Sequence, residues 1–284
     1  MSTTLSRDVA SCPTKHSFGR LPPSLLGRNL CDVGNKQRLR PVYLLLHRAF
    51  PKASIWATAI ANGHMRAMWW ADEETRRREA RSALEWLTRA QTLYRAHLQE
   101  HQLSEQHREL YMLWRLRSIA QAALAAGQTD YAERCALEML RIPDVRSEVM
   151  PHHDAEHDMG EVYDARIILG KVALARGDVD SAERYLLDAA ATWPADSVKK
   201  TYGPDFELAA GLLREDRAAA VLSYLRASRR FTVFLDEQID HWIREIEEGR
   251  TPDFRDWRYV KITPSRVIRT VRAQWRSYRV WKHP

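Results

Sequence analysis

The sequence has few cysteines, few glycines and no long apolar run. Its 284 residues include three cysteines and 11 glycines. The cysteines are odd in number, widely spaced and form no CxxC pair, which excludes a structural zinc site or a disulfide framework and favours a reducing compartment. No apolar stretch reaches the roughly 18 residues that a membrane-spanning helix needs. We therefore expect a cytoplasmic protein without a transmembrane segment.

The N-terminus also lacks the features of a secretory signal. It has neither the charged start nor the continuous apolar stretch of such a signal. Its composition is rich in serine and threonine and poor in acids, and this composition also fits a cleaved organellar transit segment. The sequence therefore leaves open whether the N-terminus is a targeting segment or part of the mature protein.

The familiar catalytic motifs are missing as well. The chain contains no Walker loop, no G-x-G-x-x-G after a strand and no nucleophile elbow. Strand-like alternation is scarce before the final 25 residues. We therefore predict a protein that is not an enzyme and that binds no cofactor.

One short stretch resembles a metal-binding motif and is the exception. His153, Glu156 and His157 form H-x-x-E-H, the arrangement in which inverted zinc proteases hold a metal on a helix. Pro151 and Gly160 bracket a segment that is too short for such a helix, and no downstream glutamate is recognisable as a third ligand. A metal-dependent hydrolase is thus a remote alternative, and we predict no metal site.

Charge is distributed unevenly along the chain. Residues 1–52 carry nine Lys/Arg against two Asp/Glu, and residues 255–284 carry nine against one. The 202 residues between them carry 26 against 34. We predict a basic, partly irregular N-terminal extension over 1–52, a helical domain over 53–250 and a basic, aromatic-rich helix over 251–284.

The stretch LGKVALARGDVDSAERYLLDAAATWP, residues 169–194, predicts two short helices joined by a tight turn. Gly177 is placed where a helix needs a left-handed terminating residue. Asp178 or Asp180 then caps the second helix, and Pro194 blocks its continuation. The face of the second helix that meets the first consists of Ala182, Leu186 and Ala189. Because Gly170 and Ala182 are small, we expect the two helix axes to approach closely at these residues.

The same intervals recur elsewhere in the chain, as expected for a repeat protein. The recurring sets are Gly127 with Ala132, Ala136 and Met139; Ala83 with Leu87 and Ala90; and Ala220 with Tyr224 and Ala227. In the last set we expect Glu215 to stand in place of the terminating glycine. The helix that precedes Gly127 is predicted to run from about Glu109 to Ala126.

Residues 169–194 resemble a tetratricopeptide repeat. The positions that match its signature are Leu169, Gly170, Gly177, Ala182, Leu186, Ala189 and Pro194. The wider pattern is similar to uncharacterised bacterial proteins of this repeat class. The resemblance implies an all-α fold in which antiparallel helix pairs stack as a right-handed superhelix. It also implies a non-enzymatic scaffold or adaptor in a multiprotein complex, with a peptide or partner helix bound on the concave side.

The residues that point away from the helix-pair contact are candidates for that binding groove. They are Trp114, Arg117, Gln121 and Lys171. In this role the cations would bind carboxylates of a partner protein or peptide, and the tryptophan would be an apolar anchor. The alternative is that Trp114 lies in the core and that the cations are solvated.

The C-terminus carries a second candidate surface. Arginines recur there every three or four residues, which aligns them along one side of a helix among aromatic and aliphatic residues. These arginines are Arg266, Arg269, Arg272, Arg276 and Arg279. Such a stripe fits an adaptor that binds RNA or DNA, an anionic membrane surface, or docking on the protein's own body.

Overall fold

Within the residues that the structure describes, every regular element is a helix, which confirms the predicted all-α class. The computed structural model describes residues 39–68, 71–101, 103–149, 159–192, 205–229 and 235–254. In chain order the helices are α1 (Arg40–Ala49), α2 (Ser54–Met68), α3 (Glu73–Glu100), α4 (Glu105–Leu113), α5 (Leu116–Ala125), α6 (Thr129–Met139), α7 (Ile142–Val149), α8 (Met159–Ala175), α9 (Val179–Ala191), α10 (Glu207–Arg214), α11 (Ala218–Ser228) and α12 (Asp236–Glu247). None of them is both long enough and apolar enough to cross a membrane.

The N-terminal part is built around the long helix α3. The Asp72 carboxylate accepts a hydrogen bond from the Thr75 amide at 2.8 Å and so caps its first turn. α3 spans 28 residues and packs against α2 on one side and α5 on the other. α1 lies within the predicted N-terminal extension, packs on α2, and buries Tyr43 and His47.

Three helix pairs, α5–α6, α8–α9 and α10–α11, share one turn geometry. In these three turns the residues with positive φ are Gly127 at 81°, Gly177 at 78° and Asp216 at 59°. In each turn, the amide of the following residue donates to the carbonyl five positions back, at 2.8 to 2.9 Å. This pattern is the Schellman motif, which satisfies carbonyls left over at a helix end. We call α5–α6, α8–α9 and α10–α11 the matched pairs.

In the third matched pair the predicted register is wrong by one residue. Asp216, and not Glu215, is the left-handed residue. The short aspartate side chain tolerates this conformation better than a glutamate because it can hydrogen-bond locally. The positions equivalent to Ala182, Leu186 and Ala189 are therefore Val221, Leu225 and Ser228, all of which are buried. Of the predicted set, Ala220 and Tyr224 are also buried, whereas Ala227 is partly exposed.

The helix predicted over 109–126 is interrupted. α4 ends at Leu113 and α5 begins at Leu116. Between them, Arg115 donates from Nη2 to Thr58 Oγ1 at 2.7 Å and stacks on the ring of Tyr94 at 4.5 Å. These are contacts with α2 and α3, so local helix propensity does not reveal them.

The close approach predicted at Gly170 and Ala182 is confirmed. A Cβ atom at Gly170 would lie 3.4 Å from the Ala182 carbonyl oxygen and would collide with Leu208 Cδ2 of α10. In return, a Cβ atom at Gly211 of α10 would collide with Leu174 Cδ2 of α8. Each helix thus presents a leucine to a glycine of the other, and a side chain at either glycine would require that leucine to move.

The matched pairs also share a column of small residues. Ala120, Gly170 and Ala209 are buried, and each stands seven residues before the left-handed residue of its own turn. α8 lies at the centre of the array. It contributes to the core on the N-terminal side through residues such as Ile168 and to the core on the C-terminal side through residues such as Ile167.

Candidate binding surface

Two of the predicted groove residues occupy equivalent positions on neighbouring helices. Gln121 of α5 and Lys171 of α8 each stand six residues before the left-handed glycine of their turn. α5 packs against α8, and α8 packs against α10. We call the side of these helices that carries Arg117, Gln121 and Lys171 the first-helix face.

Lys171 lies at the centre of an ionic network on this face. Its Nζ donates to Asp205 Oδ2 at 2.6 Å and to Glu207 Oε2 at 2.8 Å. The other oxygen of Glu207 is 3.2 Å from Arg76 Nη2, at the start of α3. The Lys171 side chain is only 17% exposed. The network therefore joins α3, α8 and the start of α10, and Lys171 is held within it.

The protonation of Lys171 follows from these neighbours. Burial by itself lowers the pKa of the ammonium group, but the carboxylates of Asp205 and Glu207 outweigh burial. The pKa of Lys171 is consequently raised above its ordinary value. The lysine remains charged, as an ion pair of this kind requires.

Arg117 is the more accessible cation of the first-helix face. Its Nε lies 3.0 Å from Asp164 Oδ2 of α8, and this contact ties α5 to α8. The Asp164 side chain is 9% exposed, but that of Arg117 is 48% exposed. Because a guanidinium group has five N–H donors, the contact through Nε leaves donors that a partner can reach.

Trp114 is placed differently from the other three candidates. It lies at the junction of α4 and α5 and packs against the core on the N-terminal side. The guanidinium carbon of Arg146 lies 4.9 Å from its ring centroid, and Tyr111 packs edge-on at 5.3 Å. Trp114 is thus a partly buried residue that packs on the core, which favours the alternative considered for it.

A buried pair of tyrosines positions Asp205. The hydroxyl groups of Tyr163 and Tyr224 are 2.7 Å apart. The Asp205 amide donates to Tyr163 Oη at 2.9 Å, and Tyr224 Oη donates to the Asp205 carbonyl at the same distance. Burial raises the pKa of both phenols, so they remain neutral. The chain segment that enters α10 is therefore fixed where its carboxylates meet Lys171.

Sequence analysis did not identify Arg76, Asp164, Asp205 or Glu207 as parts of this face. Arg76 and Glu207 are separated by 131 positions, and no local pattern connects them. They come together through the packing of α3 on α5, of α5 on α8 and of α8 on α10. The equivalent spacing of Gln121 and Lys171, by contrast, is readable once the two glycine turns are aligned.

A second ionic arrangement repeats along the opposite helices of the matched pairs. Arg176 contacts Asp130 at 2.6 Å and Glu133 at 2.8 Å in the preceding pair. Arg217, in the turn of α10–α11, contacts the equivalent carboxylates of α9: Asp180 at 2.5 Å and Glu183 at 3.3 Å. In both cases a turn arginine joins its own pair to the one before it, and we call these contacts the arginine clamps.

The remaining candidate chemistry lies largely outside the described residues. This holds for the H-x-x-E-H stretch at 153–157 and for the five C-terminal arginines. In the part of the chain that is described, no three His, Cys, Asp or Glu side chains are grouped as metal ligands. Burial raises the pKa of the Cys135 thiol to about 11, so this thiol stays protonated near neutral pH.

Comparisons with known proteins leave the geometry as the basis for function. Neither a scan against protein-family models nor a search of curated proteins finds a match.

Proposed function

We propose that the chain is a non-enzymatic, tetratricopeptide-repeat-like scaffold that binds another protein within a cytoplasmic complex. The observation that carries the proposal is the repetition of one hairpin design in α5–α6, α8–α9 and α10–α11. The three matched pairs share the left-handed turn residue and the column Ala120, Gly170 and Ala209. Repetition of this kind is typical of arrays that present an extended binding surface.

The arginine clamps support stacking of the pairs at a regular step. Arg176 and Arg217 reach carboxylates at equivalent positions of the preceding pair. A constant step with a small rotation produces a superhelix, and we propose that this one is right-handed, with the first-helix face on its concave side. An extended peptide or a single helix of the partner would then lie along α5, α8 and α10.

On this face, Arg117 is the proposed contact for a carboxylate of the partner. It is half exposed and is already oriented by Asp164. Gln121 follows one turn later on α5 and offers an amide group beside it. Lys171 has a different role, because its own carboxylates enclose it and it fixes the shape of the surface.

Affinity capture with charge-reversed variants tests the proposal. The full chain, its Arg117→Glu variant and the control Arg184→Glu are used as baits in a native lysate, with and without nuclease. Arg184 is an exposed arginine on α9, outside the first-helix face. We expect the wild type and Arg184→Glu to retain the same proteins, and Arg117→Glu to lose them, regardless of nuclease.

Two outcomes would contradict this function. Retention that disappears with nuclease would favour the nucleic-acid adaptor that the C-terminal arginines suggest. Equal retention by Arg117→Glu and the wild type would remove the first-helix face as the binding surface.

A further inference from the structure

The outer face of α1 and the first turn of α2 form an unusual surface where the described helices begin. Four apolar side chains are exposed there: Val42 at 46%, Leu45 at 63%, Phe50 at 52% and Ile55 at 57%. Two exposed cations, Arg48 and Lys52, lie among them in the sequence. We call these six residues the end surface.

The inner face of α1 is already in use. Tyr43 and His47 are buried, and the ring of His47 packs edge-on against Trp86 of α3 at 5.2 Å. Arg40 turns inward to Glu79, which lies 3.5 Å away. α1 is therefore docked firmly on α2 and α3, and the end surface is the side that this docking leaves outward.

Acidic residues are absent from this part of the chain. Residues 33–71 contain no aspartate or glutamate and six Lys/Arg. Among the described residues, no carboxylate pairs with Arg48 or Lys52. The end surface thus combines exposed apolar area with positive charge that nothing in its own segment neutralises.

α1 is the first helix of the described residues, and the end helix of a stacked array normally has a polar outer face that stays in water. The end surface has the opposite character. We infer that it is a docking site for an acidic amphipathic helix of another protein, which would stack on α1 as one more helix of the array. The partner's apolar stripe would cover Leu45 and Ile55, and its carboxylates would meet Arg48 and Lys52.

The dimensions favour a helix over an anionic membrane. α1 has ten residues and is therefore about 15 Å long, which matches a few turns of one partner helix. Helices that lie on anionic membranes usually carry many cations on their polar face. Here Arg40 is withdrawn to Glu79, so Arg48 and Lys52 are the cations available on α1 and its following turn.

Fluorescence anisotropy on the full chain tests this site. The probe is a fluorescein-labelled synthetic helix of 16 residues, with leucines spaced i, i+3, i+4 and i+7 and glutamates on its other face. A matched peptide carries lysines in place of the glutamates. We expect the acidic peptide to bind and the lysine peptide not to bind, because only the acidic peptide complements Arg48 and Lys52.

Three variants locate the binding. The double variant Leu45→Gln/Ile55→Gln is expected to weaken the acidic peptide about tenfold or more, since it removes the apolar centre of the contact. Arg48→Gln/Lys52→Gln is expected to weaken it several-fold and to reduce its salt dependence. The control is Leu137→Gln on α6, where the leucine is 49% exposed, and it should bind like the wild type. Circular dichroism checks that each variant is folded.

Several results would overturn the inference. The inference is wrong if the acidic peptide does not bind the wild type, or if it binds all variants with equal affinity. Cosedimentation with vesicles of phosphatidylcholine and phosphatidylserine that requires Leu45 and Ile55, without peptide binding, would identify a membrane instead. A dimer in sedimentation equilibrium that Leu45→Gln/Ile55→Gln dissociates would identify a second copy of the chain. None of these results depends on Arg117, so the proposed function is tested separately.

Discussion

The matched pairs and the N-terminal helices α1–α4 are held together by different means. In the matched pairs a left-handed turn residue and a buried small residue seven positions earlier recur at fixed intervals, and an arginine clamp joins each of the last two pairs to the pair before it. In α1–α4 the contacts are individual, such as His64 Nδ1 with Glu79 Oε2 at 2.7 Å or Arg115 with Thr58. A repeated device is visible in the sequence, whereas an individual contact is not.

The two regions also differ in their balance of charged residues. Residues 39–115 contain 12 Lys/Arg and eight Asp/Glu, and residues 116–254 contain 17 and 26. In the matched pairs, arginines such as Arg176 and Arg217 form ion pairs with carboxylates of the preceding pair. In the N-terminal part, Arg95 and Arg108 line a cleft of about 430 Å³ between α3 and α4, and neither has an ion-pair partner in the described residues. Ionic groups thus join neighbouring pairs in one region, whereas the other region, besides its own ion pairs, holds the exposed Arg95 beside this cleft.

The largest expected effect comes from breaking the ionic network that joins the two regions. Lys171→Met should destabilise the protein by about 2 to 3 kcal/mol, because it leaves the partly buried carboxylates of Asp205 and Glu207 without the cation that they share. Asp205 and Glu207 would then repel each other without the shared ammonium group, although Glu207 would keep its contact with Arg76. The midpoint of urea unfolding measures the loss. Lys171→Arg keeps the charge and should lose less, and a Lys171→Met midpoint equal to that of the wild type would show that the network contributes nothing.

A substitution in the matched pairs is expected to have the next largest effect. Ala182→Leu should cost about 1 to 3 kcal/mol, since the added atoms would overpack the contact with Gly170. The control is Ala191→Leu on the exposed side of the same helix, which should change stability little. Thermal unfolding of the two variants measures the difference. Equal melting temperatures would refute the close packing of α8 on α9.

Substitutions of the turn residues should change the free energy of unfolding less, and in opposite directions at the equivalent positions Gly177 and Asp216. Gly177→Ala should destabilise by about 1 kcal/mol through its backbone alone, because φ is 78° and no atom lies within 4 Å of the added methyl. Asp216→Gly should stabilise by up to about 1 kcal/mol, because glycine adopts φ of 59° without strain. Urea unfolding of both variants measures the two shifts. Shifts of the same sign would contradict the equivalence of the two turns.

The extent to which the sequence predicts the fold follows from this contrast. Gly177, Ala182 and Leu186 act within one hairpin, so their spacing predicted both the turn and the close approach at Gly170. Asp216 was missed because a left-handed aspartate cannot be distinguished by pattern from the neighbouring Glu215. The break at Trp114 and Arg115 was missed because the contact made there, from Arg115 to Thr58, joins residues 57 positions apart.

The candidate surface, too, is only partly predictable from the sequence. The equivalent positions of Gln121 and Lys171 follow from the repeat, but the carboxylates around Lys171 come from a loop and from α10. Arg76 reaches Glu207 through the packing of α3 on α5, which is followed in space by α8 and α10. Whether Arg117 and Gln121 bind a partner stays a prediction, as does any role of the C-terminal arginines.

The smallest expected effect is a pH dependence confined to the N-terminal part. His47 and His64 are both buried there, and the pKa of each is lowered from 6.5. For His47 the causes are burial and then Arg89; for His64 burial outweighs the hydrogen bond to Glu79, which acts in the opposite direction. Among the described residues of 116–254 the one histidine is His241, which is 52% exposed. Histidine protonation should therefore act on α1–α4 far more than on the matched pairs.

The sign follows from the lowered pKa values. Above pH 6.5 both histidines are neutral in the folded and the unfolded chain, so their contribution is fully present. As the pH falls below 6.5, these histidines become protonated in the unfolded chain but stay neutral in the folded chain, where their pKa values are lower. Stability is therefore lost as the pH falls from 6.5 to the folded-state pKa values. Thermal unfolding between pH 7.5 and pH 5 measures this slope, which His64→Gln and His47→Phe should each reduce and the exposed His97→Gln should not. A slope that is the same in all three variants and the wild type would assign the acid sensitivity to other groups.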